Sequence, residues 1–403
     1  MTSLTFGSWI AINHLTSDDE AGAAGVGMVE SSGCLHTTKG EGFQHMNADM
    51  GRSSHGPNRR QILMRAAGLT GAALLGSAVL SGAGTAAAAV ATSKRFDLTD
   101  GSDEWFREIV LQEVRILQSF SFDNTNKHLY TAQLVQAGRQ LPGETRTYTG
   151  TERETNGDLC ITRLDWRGYI IGRMYLKGFG HGVSIAAEPS GNGAYLWTET
   201  ASVPDGANVG YGTKIARFKF ANGVVLTPES HRVTTYTPAP GSDHNTVAVD
   251  PVNSRLAVRH RIGGTWKINL YDLATFRSGT FTPLASITQP SVLTGVTFQG
   301  YTTLGQYLYT MDGTAYTYDS SGNRTSDSNT YVTCIDWNTG SVVQRSLSKA
   351  GESLFYREPE GMAIQIPDTS NPAAARLHLG FGSEESLTAT DKKASFYYKD
   401  LLV

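Results

Sequence analysis

Only three of the 403 residues are cysteine, Cys34, Cys160 and Cys334, so no disulfide framework can organise this chain. Charge of one sign is equally scarce. Lysine and arginine total 34 against 37 acidic residues, a formal net charge of −3, and without a basic footprint nucleic acid is excluded as a partner. Outside one N-terminal stretch, no segment is apolar for the ~18 residues that a transmembrane helix needs. The chain also lacks a G-x-S-x-G elbow, an H-E-x-x-H zinc motif, a phosphate-cradling Walker loop and an EF-hand loop. Chemistry performed by two carboxylates needs no linear motif, so a carbohydrate-cleaving enzyme is not excluded.

The N-terminal stretch has the order of an export signal. Residues 58–64 read Asn-Arg-Arg-Gln-Ile-Leu-Met, and an Ala/Gly/Leu stretch runs from Ala66 to Ala89 with A-x-A cleavage at Ala86–Ala88. A basic, then apolar, then small-residue order is that of a cleavable twin-arginine signal, assigned here to residues 46–89. A membrane anchor is the competing reading, and the glycines and mild hydrophobicity weigh against it. Residues 1–45 have no periodicity and read as an over-long start or a disordered leader, with Met46 or Met50 in the usual starting place. His14, Cys34, His36 and His45 are therefore not taken as a metal site. The twin-arginine route carries proteins already folded, which suits a fold without disulfides. The expected location is extracellular, as a monomer with no membrane attachment after cleavage.

What is abundant is glycine, 44 residues, and tyrosine, 17, in short runs of alternating apolar and polar residues joined by turns. The first element after the signal reads as a short helix. Ser102 caps it, Asp103 and Glu104 suit its first turn, and Trp105, Phe106, Ile109, Val110 and Val114 form an apolar face. A pattern then recurs five times: Gln118-Ser-Phe-Ser-Phe-Asp, His181-Gly-Val-Ser-Ile-Ala, Asn245-Thr-Val-Ala-Val-Asp, Thr294-Gly-Val-Thr-Phe-Gln and Glu360-Gly-Met-Ala-Ile-Gln. The copies begin roughly 50–65 residues apart, a spacing that suggests an array of supersecondary units. Second and third strands follow each copy, and a fourth follows in four of them. Lys94–Leu98 is expected to supply the strand that the last copy lacks. Four-stranded units closing radially make a five-bladed β-propeller over residues 94–403, an all-β fold whose closure hides sheet edges. Cys160 and Cys334 fall in blades one and four, which are not neighbours, and read as buried, inert thiols.

In propellers, the starts of inner strands and the ends of second strands share one face, where a pocket at the axis commonly takes a ligand. That rule gathers Gln118, His181, Asn245, Thr294 and Glu360, with Lys177, His244, Arg357, Glu358, Glu199, Arg259 and His260 beside them. His181 and His244 either act as acid/base groups, since histidine titrates near neutrality, or bond backbone where the strands converge. His260 is the third histidine of the mouth, whereas His128, His231 and His378 read as strand residues. The carboxylates of Arg357-Glu-Pro-Glu-Gly would hold Ca²⁺, serve as acid/base groups, or pair internally with Arg357. No other cofactor or metal is expected. An Arg/Lys/His-lined mouth suits phosphate or uronate. Trp197 and Tyr211 are either sugar-stacking residues or core.

The runs Leu117-Gln-Ser-Phe-Ser-Phe-Asp, Gly157-Asp-Leu-Cys-Ile-Thr-Arg-Leu-Asp and Met174-Tyr-Leu-Lys-Gly-Phe-Gly-His-Gly-Val-Ser-Ile resemble a secreted actinobacterial group. That group belongs with the β-propeller domain shared by teichoic acid biosynthesis protein C and staphylococcal phage receptor-binding proteins. The resemblance spans Phe96 to Val403. It implies a propeller that recognises an anionic cell-wall or extracellular glycopolymer such as teichoic acid, and it transfers no catalytic residues. On that reading Gln118, Lys177, Asn245, Arg259, His260, Arg357 and Glu358 bind the polymer. The alternative is a polysaccharide lyase or glycoside hydrolase acting on an acidic glycan. There His181 or His244 would shuttle the proton in a lyase, and Glu199 and Glu360 would be the carboxylate pair in a hydrolase.

Overall fold

The computed structural model describes residues 89–403. The leader, the twin-arginine pair and the proposed signal up to residue 88 lie outside the described residues. From there the chain builds five antiparallel sheets, each a radial blade. Blade 1 runs from the inside outwards as Leu117–Asp123, His128–Leu134, Leu159–Asp165 and Ile170–Leu176, with Val225–Leu226 added in parallel at its edge. Blade 2 is Ala186–Ser190, Gly193–Pro204, Gly210–Lys219 and Val233–Tyr236. Blade 3 is His244–Asp250, Arg255–Ile262, Thr265–Asp272 and Ala285–Thr288. Blade 4 is Phe298–Leu304, Tyr307–Asp312, Tyr331–Asp336 and Val342–Leu347, and blade 5 is Glu358–Gln365, Arg376–Ser383, Lys393–Lys399 and, outermost, Asp103–Ile109.

Both faces of a blade are buried against its neighbours, so the inner strands are buried almost throughout although they alternate large apolar residues with small ones, as Phe120 and Phe122 alternate with Ser119 and Ser121. Five apolar clusters fill the five gaps. Ile161 and Leu196 meet between blades 1 and 2, Trp197 and Val258 between 2 and 3, and Leu270 and Leu308 between 3 and 4. Tyr309 and Leu379 meet between 4 and 5, and Phe396 and Phe122 between 5 and 1. Each inner strand packs on the next and the fifth on the first, so the ring is closed. Cys160 and Cys334 are buried free thiols in blades 1 and 4, and burial pushes Cys334 up to about 12.

Three sequence expectations are corrected. Residues 103–109, read as a helix, form a strand whose pairing with Lys393–Lys399 slips at two bulges. Each bulge adds a residue to the period of two, so Trp105, Phe106 and Ile109 all reach the apolar cluster at a spacing that mimics a helical face. Lys94–Leu98 is not the closing strand. It pairs with the C-terminal tail, Phe96 bridging Leu402 and Arg95 N–H donating to the Val403 carbonyl at 3.0 Å, and the next segment closes blade 5. Thr294 does not start the fourth inner strand. It is exposed, just after the 3-10 turn Ser291–Leu293, and the strand begins at Phe298.

Candidate functional site

Backbone contacts fix which residues of the five inner strands share a level. Ser119 Oγ donates to the Gly182 carbonyl at 2.6 Å. A Cβ on Gly300 would lie 2.8 Å from Gly361 Cα, and one on Gly361 would lie 2.9 Å from Ser119 Cα. Only glycine allows backbones to approach this closely at the axis. One residue earlier stand Gln118, Asn245, Gln299 and Glu360 on their strands and His181 in the loop leading into blade 2, whose inner strand begins only at Ala186, so Gln299 occupies the place expected for Thr294 and His181 is not the strand start that was expected. The signal was available: Gln299-Gly repeats the polar-then-small opening of Glu360-Gly and His181-Gly. Further along the axis the channel narrows to a void of about 10 Å³ beside Ser121, Ala248, Thr302 and Ala363.

The polar residues at this level are held differently. Asn245 is satisfied, its amide donating to Ser242 Oγ at 2.8 Å and to the Gly212 carbonyl at 3.3 Å. Gln299 donates to the Gly313 carbonyl at 3.0 Å. Glu360 is buried, with the half-buried Glu358 on the same strand, and burial and then that neighbour push its carboxyl well above the usual range. Burial also raises Glu358, against the opposing pull of Lys392. Gln118 is buried on the adjoining strand of blade 1.

From this level a stack of rings and cations runs across blades 2, 3 and 4. The Tyr211 ring lies 5.5 Å from His181 and stacks on His244 at 4.1 Å. His244 meets the edge of Trp266 at 5.4 Å, and the Arg259 guanidinium is sandwiched 3.4 Å from Trp266 and 3.8 Å from Phe298. Burial pulls Arg259 down to about 9, so it is still a cation at neutral pH. Arg259 Nε donates to Gln289 at 2.9 Å. Arg261 forks onto Asp243, which also bonds His244 Nδ1 at 3.1 Å, and these bonds, Arg261 first, hold Asp243 below the usual carboxylate range. Burial lowers His181 and His244, leaving both imidazoles neutral at pH 7, and raises Tyr211 to about 12. His181 Nδ1 is buried without a hydrogen-bond partner. His181, Tyr211, Arg261 and Trp266 keep part of their surface in solvent. Trp266 and Arg261 were missed from sequence because they belong to the hairpin of blade 3, outside the recurring pattern.

Other expected residues lie elsewhere or face inward. Glu199 is 1% exposed and accepts Gly182 N–H on one oxygen at 2.7 Å and Gly212 N–H on the other at 2.5 Å. The Val183 and His181 N–H groups also bond it, and burial still pushes it up to about 7. A Cβ on Gly180 would lie 2.3 Å from this carboxyl, which is why the loop carrying His181 needs glycine there. Glu199 thus moulds the His181 loop and does not face a ligand. Arg357 is 0% exposed, its guanidinium donating to the Ala350 and Ser348 carbonyls and to Thr330 Oγ1 at 2.8–3.0 Å. It pairs with neither Glu358 nor Glu360 and cannot touch a polymer. His260 is buried beside Asn245 in register, its Nδ1 without a partner. Trp197 is core, donating to Glu188. Lys177 ends the outer strand of blade 1, away from the axis, bonded to Glu144 at 2.8 Å. Among the described residues no three His, Cys, Asp or Glu side chains cluster as a metal site, and no helix is long and apolar enough to cross a membrane.

Residues 116–385 match the family model described as the phage 5-bladed beta propeller receptor binding platform domain. A Bacillus subtilis (strain 168) protein named "Putative major teichoic acid biosynthesis protein C" is 26% identical over 300 residues, covering 72% of this chain and 61% of that protein. The tail fiber of Staphylococcus aureus phage P68 superposes with a TM-score of 0.56 at 18% identity, covering 76% of this chain and 54% of that one. The chain therefore spans between half and two thirds of the length of these relatives, and the structural likeness shows the shared fold.

Proposed function

The chain belongs to the family of phage five-bladed β-propeller receptor-binding platform domains, and from that premise we propose that it is a secreted propeller recognising an anionic, teichoic-acid-like glycopolymer of cell walls. The observation that carries this reading is the part-exposed stack His181–Tyr211–His244–Trp266–Arg259–Phe298 beside the polar residues of the axis. Aromatic faces take the apolar faces of sugars, and a guanidinium held between two rings offers a fixed positive charge to a phosphate or carboxylate. The name of the Bacillus subtilis relative, a teichoic acid biosynthesis protein, supports the same class of polymer.

The full chain is expected to bind Gram-positive walls and to lose that binding when teichoic acid is extracted from them. Equal retention on both preparations would overturn the proposal. Tyr211→Ala and Trp266→Ala are each expected to weaken binding about tenfold, as rigid aromatic anchors do.

The neutral imidazoles on either side of Tyr211 favour a second reading, a lyase in which His181 or His244 removes the proton beside a uronate carboxylate. The hydrolase variant has less support, because Glu199 is committed to backbone N–H groups. Acidic glycans incubated with the full chain would yield UV-absorbing unsaturated uronides in a lyase. Their absence across a panel that includes uronates would dismiss it.

A further inference from the structure

A shallow, open cleft of about 540 Å³ lies between blades 1 and 2, lined by Asn156, Lys177, Ser202, Pro204, Pro228 and Glu229 among others. That volume is of ligand size. We propose that it is a second subsite for the same polymer, seating a phosphate-linked sugar or polyol unit against the Lys177 ammonium. The inference rests on the polymer-binding reading above.

Charge bookkeeping identifies the group that meets the ligand. Lys177 Nζ bonds Glu144 at 2.8 Å, Arg153 bonds Glu144 at 2.6 Å and Asp158 at 2.8 Å, so two cations meet two carboxylates. Arg153 is fully buried and Glu144 has no exposed side-chain surface, whereas the Lys177 side chain is 27% exposed. Lys177 is thus the face that this neutral network turns to the cleft, which also carries the exposed carboxylate of Glu229, and its ammonium is a point charge of the kind that binds phosphate. Ser202 Oγ is buried with no hydrogen-bond partner, an unmet polar atom in the wall. Its own N–H is engaged by the Gly178 carbonyl at 3.0 Å. Ala201, the residue before it, is held at φ +57° with its carbonyl bonded by Thr213 Oγ1 at 2.9 Å. Left-handed backbone at a non-glycine residue is strain of the kind that gathers at binding sites. Pro204 and Pro228 supply apolar faces for a ring or chain.

The cleft is joined to the mouth twice. Lys177 and His181 are four residues apart, at most about 14 Å along the chain. The blade 2 hairpin pairs Val203 with Tyr211 and Ser202 with Gly212, so the strands carrying Tyr211 to the mouth and Ser202 to the cleft are the same pair. A polymer lying across the hairpin reaches both places, and each occupied subsite raises the effective concentration of the polymer at the other.

The test is titration of the full chain with poly(glycerol phosphate), comparing wild type with Lys177→Met, Lys177→Arg, Asn156→Trp and Tyr211→Ala at several salt concentrations. Lys177→Met is expected to bind about tenfold more weakly and to lose about one unit of salt slope, as removal of a phosphate contact does. Lys177→Arg should restore the slope. Asn156 is an exposed residue of the lip, and Asn156→Trp should weaken binding by filling the cleft without disturbing the core. If both cleft variants bind as wild type does while Tyr211→Ala is weak, the subsite is overturned and the mouth stands. If Lys177→Met is weak with an unchanged slope, its effect is structural and the proposal fails. No binding by the wild-type chain, on this probe and on walls, removes the functional reading and the subsite with it.

Discussion

Glu199 and Arg357 bring opposite charges into the same interior, and each is held by backbone instead of by a counter-ion. For Glu199 the consequence is a pH dependence of known sign. Its ordinary value of 4.5 is pushed up to about 7 in the folded chain, so the native state holds the proton more tightly than the unfolded chain does. Stability from this group is fully present below about 4.5 and is lost as pH rises through 7, by at most about 3 kcal/mol. Glu358 and Glu360 are raised too and act in the same direction. Urea unfolding should therefore show a weaker fold at pH 8 than at pH 5. Glu199→Gln should remove part of that slope while costing about 2 kcal/mol at pH 5, because its NH₂ faces a backbone N–H. A Gln variant with the full wild-type slope would show that Glu199 does not titrate in this window. Arg357→Met should cost about 3 kcal/mol, leaving three acceptors without a donor, and should leave polymer affinity unchanged. A loss of affinity at unchanged stability would mean that Arg357 reaches the ligand after all.

At the scale of elements, the edge strand Asp103–Ile109 shows what a bulge does to both stability and legibility. Trp105 packs on Phe106 at 4.1 Å, on Phe122 at 5.4 Å and against Trp166 and Phe396. Trp105→Ala should cost about 3 kcal/mol and speed amide exchange along Lys393–Lys399, the strand that Asp103–Ile109 covers. Unchanged exchange there would mean that the cover is held by its other contacts. The five-blade count was readable because each inner strand is buried on both faces and repeats apolar–small–apolar. The helix reading of 103–109 failed because two register slips place Trp105, Phe106 and Ile109 on one side, a tertiary effect that no local period reveals. The fourth inner strand was misplaced for a related reason. Thr294-Gly-Val-Thr copies the pattern but lies in an exposed loop, and only the packing of Gly300 on Gly361 chooses the correct start. His244 does begin its inner strand, whereas His181 lies in the loop before Ala186–Ser190, where the sequence pattern continues without the ladder. Burial of Arg357 and Glu199 was not, since a charged residue beside an inner strand reads the same whether it faces the channel or the blade.

The propeller closes by pairing its first described strand with its last. Asp103–Ile109 completes a sheet whose other strands lie between residues 358 and 399, and Arg95 and Asp97 bond Val403 and Leu401 through backbone. Such long-range pairing makes folding slow and leaves an open strand edge until the C-terminus is made. A chain threaded through a membrane N-terminus first would expose that edge throughout transit. Export after folding would avoid the problem, and under the proposed twin-arginine reading the Arg59–Arg60 pair would direct the closed ring across as one body. Replacing both arginines by lysine should therefore leave a folded, protease-resistant propeller inside the cell and none in the medium. Substituting a leader for unfolded threading should give secreted chains with lower yield of the closed form, seen as protease sensitivity within blade 5. If the Lys-Lys variant is exported as well as wild type, the twin-arginine assignment is wrong, and ring closure places no demand on the route.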